Sequence, residues 1–170
     1  MAARRTSRSG QAILEFVIFW GAIMMPLTMG IIYVSEMYWV WHSIGDLTRD
    51  VAHYAATHCW EADGGNVQQY IDSHVPRTID GNQFRSGGAA TVTVTYSQVD
   101  PATGSLLPMS CTGDCSTLCV PDTVTVSVSG YEFRRFVTFL HLPPVTIPAF
   151  PASVAVGSNG CDPEQGICIP

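Results

Sequence analysis

The chain has 170 residues, a formal net charge of −6 and a hydrophobic fraction of 46%. That length accommodates one modest domain and an anchor, and leaves little room for a second core. Beyond Glu15, five Arg stand against thirteen Asp and Glu, a balance of −8 that argues against nucleic acid or anionic lipid headgroups as partners of that part.

Residues 1 to 10 form a short basic leader with Arg4, Arg5 and Arg8. From Phe16 to Ser35 twenty consecutive residues carry no charge. As a helix, at ~1.5 Å per residue, they reach across the roughly 30 Å hydrocarbon core of a bilayer. Three Arg precede the run, whereas Glu36, Asp46 and Asp50 follow it with Arg49 alone among them. The positive-inside rule therefore predicts a cytoplasmic N-terminus and an exported C-terminus. The run exceeds the h-region of a cleaved signal peptide, and bulky Met37, Tyr38, Trp39 and Trp41 follow it. With Tyr33, these aromatics suit the outer headgroup layer.

Past the span a helical period continues through Met37, Trp41, Ile44, Leu47, Val51, Tyr54 and Ala55. One helix over residues 11 to 60 is expected, with Asp46, Arg49, Asp50 and His53 turned to water. Its apolar stripe must meet either the exported domain or neighbouring subunits. Asp63, Gly64 and Gly65 end that helix, and Asn66 can cap a short second one that stops before Pro76. Residues 61 to 170 then read as an exported α+β domain with a small antiparallel sheet. Thr91 to Val99 and Thr123 to Ser129 alternate Val with Thr and Ser, as half-buried strands do. Val145 to Val156 is a third strand candidate, broken by Pro148 and Pro151 and therefore placed at an edge or a bend.

Six cysteines, Cys59, Cys111, Cys115, Cys119, Cys161 and Cys168, all lie beyond the span. Export makes disulfides the default expectation, with a stapled loop at 100 to 122 and a second Cys-containing segment at 157 to 170. The spacing does not select the pairing. The four-residue steps of Cys111, Cys115 and Cys119 match no zinc pattern, and no second ligand pair stands nearby. His53, His58, Cys59 and Glu61 share no helix face well, and His42, His74 and His141 stand alone. No G-x-S-x-G, phosphate loop or motif-placed carboxylate pair is present, so neither an enzyme nor a cofactor or metal finds support.

At the cytoplasmic edge the chain reads Arg8-Ser9-Gly10-Gln11-Ala12-Ile13-Leu14-Glu15-Phe16 before the apolar run. This resembles the processing site of type IV prepilins, and Thr48 to Ala56 resembles the alanine-rich helix end of TadE-like minor pseudopilins of the Tad/Flp pilus. The resemblance implies cleavage between Gly10 and Gln11 by a membrane prepilin peptidase. It also implies that Glu15 is the acid at the fifth mature position, which pairs with the new α-amine of Gln11 or of a neighbouring subunit. Phe16 stands where that branch usually has Tyr, keeping the ring without the hydroxyl. The partners so implied are the bilayer, the peptidase, other pilins and the pilus assembly platform, within a homo- or hetero-oligomeric filament. A minor pseudopilin at the inner membrane and then the cell surface is the first expectation. The rival is a permanently signal-anchored binding module whose Cys-rich loop recognises a ligand.

Overall fold

A computed structural model describes residues 9–59, 65–109, 119–135, 143–157, 161–162 and 167–168. Its first feature is a long helix with one interruption: α1 (Ser9–Phe19), a π-helical turn (Trp20–Met24) and α2 (Met25–Thr57). Pro26 explains the interruption. Its ring would collide with the carbonyl of Ala22 and it has no N–H to donate. The backbone absorbs one residue instead, and the Met25 N–H donates to Trp20 O, five residues back.

The chain divides into two compact units, Met1–Trp39 and Val40–Pro170. Within the first, the helix is long and apolar enough to cross a membrane and no part of its apolar window is buried. Ile13, Phe16, Ile18, Leu27, Ile31 and Val34 are all exposed. Burial of such side chains would be worth about 1.5–3 kcal/mol each, so a helix bare all round needs an apolar surrounding.

The second unit begins inside α2. Here Val40, Ile44, Leu47, Val51, Ala52, Ala55 and Ala56 are buried, so the stripe is covered by this chain's own domain. Asp46, Arg49, Asp50 and His53 face water as the period predicts. Trp41, expected among the headgroup aromatics, has a partner within the domain. Its ring packs on Phe150 with centroids 4.9 Å apart, because the turn that places it also carries the buried Ile44. A short helix, α3 (Gly65–His74), follows, and within its first turn the Asn66 side chain accepts from the Val67 N–H and donates to Cys59 O.

The sheet has four antiparallel strands: β1 (Thr91–Val99), β2 (Leu106–Pro108), β3 (Thr123–Ser129) and β6 (Phe150–Ala155), in the order β2-β1-β3-β6. The short pairs β4 (Glu132–Phe133) with β5 (Val145–Thr146), and β7 (Cys161–Asp162) with β8 (Ile167–Cys168), lie apart from it. Strand alternation sorts the faces. Val124, Val126 and Val128 of β3 are buried, while Thr95, Thr125 and Ser153 come into line across three strands on the other face, where the Thr125 and Ser153 hydroxyls are 2.9 Å apart.

Polar side chains close the ends of this core. Buried Gln83 donates to Glu132 O and accepts from Glu132 N–H, both at 2.8 Å. The Tyr131 hydroxyl accepts from the Asp80 N–H at 2.8 Å, and burial pushes its phenol above the ordinary range. At Gly130, φ is +75°, and a Cβ would stand 2.6 Å from Ala89 O, so any other residue there is both strained and in collision.

Candidate functional site

The residues singled out for processing and assembly sit at the start of α1. Ser9 opens the helix, so the Gly10–Gln11 peptide lies within its first turn. The N–H groups of a first turn have no acceptor inside the helix, and this turn therefore opens at low cost. Nothing lies within 4 Å of the Cβ position of Gly10, and Gly10 is exposed. A cleft that requires an extended backbone could take this peptide without disturbing any packed side chain.

Gln11 and Glu15 are brought together, one helical turn apart. The Gln11 amide Nε2 donates to Glu15 Oε1 at 3.2 Å, so the carboxylate is held by a neutral donor. Glu15 is also near the helix N-terminus, where the macrodipole favours negative charge. Phe16 stacks on Trp20, with centroids 6.4 Å apart and planes at 16°, on the exposed surface of the helix. Arg4, Arg5 and Arg8 lie outside the described residues.

Of the cysteines, Cys161 and Cys168 form a disulfide across the β7–β8 pair. Cys59 and Cys119 are disulfide-bonded as well, and Cys59 is buried at the end of the long helix. Cys111 and Cys115 lie outside the described residues, as does most of the stapled loop expected at 100 to 122. Among the described residues there is no free cysteine and no group of three or more His, Cys, Asp or Glu able to hold a metal ion.

One constellation escaped the sequence reading. Tyr54 and Tyr70 stack face to face between α2 and α3 at 4.2 Å, and His58 and His74 extend the column at 3.9 and 4.1 Å. His74, which stands alone in the sequence, therefore ends a four-ring stack. Both halves use the same local pattern, Tyr54-x-x-Thr57-His58 and Tyr70-x-x-Ser73-His74. In each, the His Nδ1 lies about one hydrogen bond from the Tyr carbonyl, at 3.1 and 3.0 Å, and the preceding hydroxyl donates to that same carbonyl. The repeated Tyr-x-x-(Ser/Thr)-His spacing was the signal available for it.

No family model matches the chain, and no curated protein and no solved structure is similar to it.

Proposed function

We propose that the chain is a TadE-like minor pseudopilin: it inserts with its N-terminus in the cytoplasm and its domain exported, is cut after Gly10, and packs by its N-terminal helix into a pilus or its initiating complex. The observation that carries this reading is the order Arg8, Gly10, Glu15, Phe16 at the head of an apolar run whose helix is exposed on every side. An anchor needs the apolar run alone. It needs neither a small residue at the cytoplasmic edge nor a carboxylate five residues further on, which costs several kcal/mol if drawn deep into lipid. Cleavage would supply the reason for the carboxylate, since it creates a cation at the backbone nitrogen of Gln11, beside the side-chain amide that already donates to Glu15.

Co-expression with a cognate prepilin peptidase, followed by intact-mass analysis of the membrane extract, tests the reading. The expected product begins at Gln11, and Gly10→Val retains the leader. A chain that keeps residues 1 to 10 beside an active peptidase would overturn the reading in favour of a permanent signal anchor.

A further inference from the structure

Strand β1 is covered unevenly along its outer edge. On that edge β2 pairs only with Ser97, Gln98 and Val99. Main-chain direction alternates along a strand, and three bonds fix the parity. Tyr96 O accepts from Met109 N–H at 3.1 Å and Asp100 N–H donates to Ser105 O at 2.9 Å, both on the β2 side, whereas Ser97 O accepts from Asp122 N–H at 3.0 Å on the β3 side. Val92 and Val94 therefore direct their N–H and C=O groups out from the sheet, and no described residue bonds them.

This opening is bounded at both ends. The Ala90 N–H, the next donor of the same parity, is taken by Gln83 O at 3.0 Å, and Tyr96 O is taken by Met109. Between them lies the main chain of Thr91 to Thr95, roughly 17 Å of strand. Beside its Thr91 end is a groove of ≈ 550 Å³, walled by Gln68 and Asp72 of α3, by the turn Arg85 to Gly88, and by Thr91 and Val92. Among the described residues Arg85 and Arg77 make no ion pair, and both line the adjoining groove with Asp72. The groove at the Thr91 end itself is lined by one Arg, Arg85, and one Asp, Asp72.

We infer that the open edge of β1 binds the C-terminal segment of a partner chain as an added antiparallel strand, with the partner's terminal carboxylate at Arg85. Each part follows from the geometry. Unpaired N–H and C=O groups in strand parity are met by another extended backbone, and the two flanking pairings of β1 are antiparallel. An antiparallel strand entering over β2 runs towards the Thr91 end. There Gln83 already holds the next main-chain donor, so a chain terminus fits where a continuing chain would have to turn out. That terminus carries a negative charge to the Arg85 guanidinium, which no described carboxylate pairs. The other edge of the sheet does not offer the same chemistry, since Pro151 of β6 lacks a donor.

The test uses the full-length protein in detergent micelles and, as probe, a peptide ending Thr-Val-Thr-Val, labelled at its amino end, whose anisotropy reports binding. The free-acid peptide should bind about tenfold more tightly than its C-terminal amide, because a charge-assisted contact is lost in the amide. Arg85→Gln should remove that difference while the amide binds as before, and N-methylation of the peptide's alternate amides should abolish binding to either protein. Equal affinity of acid and amide, or equal affinity of a longer peptide with the same residues in its interior, would overturn the assignment of a chain terminus. Absence of binding, or binding indifferent to N-methylation, would overturn the strand addition itself. Sedimentation in the same micelles closes the remaining case: a dimer that the free-acid peptide dissociates would mean that a second copy is the occupant, against the inference.

Discussion

The inner and outer parts of one helix have side chains of similar apolar character and opposite surroundings. Leu27 is 54% exposed, and Leu47, twenty residues further along, is 2% exposed. Up to Ile32 no stripe distinguishes one side from another, and exposure is general, while Tyr33, Glu36 and Met37 are partly covered. From Val40 onward the apolar residues keep to one side, charged residues hold the other, and the domain covers the stripe. Apolar content therefore says little about a helix's partner, whereas the arrangement of that content says a great deal. An all-round apolar surface requires an apolar medium or several neighbours, and a stripe requires a single packed layer.

The comparison breaks most visibly under truncation. Leu47→Ala should cost the domain that begins at Val40 about 2–5 kcal/mol, by lost transfer energy and a cavity, while Leu27→Ala should leave its unfolding unchanged. Near-UV circular dichroism of the detergent-solubilised protein across a denaturant series measures both, and equal effects would erase the distinction between the two parts. A second variant sharpens the outer side. Gln83→Leu strands the half-buried Glu132 N–H and C=O and should cost about 1 kcal/mol or more in the same assay.

A smaller effect belongs to the inner part and rests on the proposed pilin role. Glu15→Gln should leave insertion and cleavage largely intact but reduce site-specific cross-linking to other pilins, through a contact worth about 1 kcal/mol. Undiminished cross-linking would mean that Glu15 only marks the membrane edge.

The smallest effects are titrations. Burial raises the Tyr131 phenol above its ordinary value of 10.0, so its contribution to stability is complete below that value and is lost as pH rises through the higher value of the folded protein. Ultraviolet absorbance should show one tyrosine ionising late. Asp100 moves the other way: hydrogen bonds from Thr103 and from the Ala102 N–H hold its exposed carboxyl below the ordinary 3.8. Its support for the turn between β1 and β2 is present above that value and lost as pH falls through the lower one, which carboxyl chemical shifts would follow.

Periodicity made the long helix, β1, β3 and the Pro-broken edge strand legible, since in each the pattern extends over enough residues to choose a period. It could not find β2, because Leu106-Leu107-Pro108 has no alternation and is held by pairing with β1 rather than by its own pattern. The two-residue strands β4, β5, β7 and β8 are below any period. Nor could one-dimensional spacing show that Tyr54 meets Tyr70, or that Trp41 packs on Phe150, because those contacts join separate elements. At the candidate site the sequence supplied the residues, and the structure added the hydrogen bond between Gln11 and Glu15. The open edge of β1 was legible in neither strand alone, since it depends on where β2 stops.

The π-helical turn also alters how the inner helix must be indexed. One residue absorbed at Trp20–Met24 shifts the angular phase of everything before it by about 100°, the rotation that one residue makes in an α-helix. A helical wheel drawn straight through the sequence therefore misplaces Glu15. Glu15 stands above Leu27 and Val34, the line that uninterrupted counting would assign to Phe16. A neighbour that reads Glu15 reads it together with those aliphatic side chains, and not with Pro26 and Tyr33.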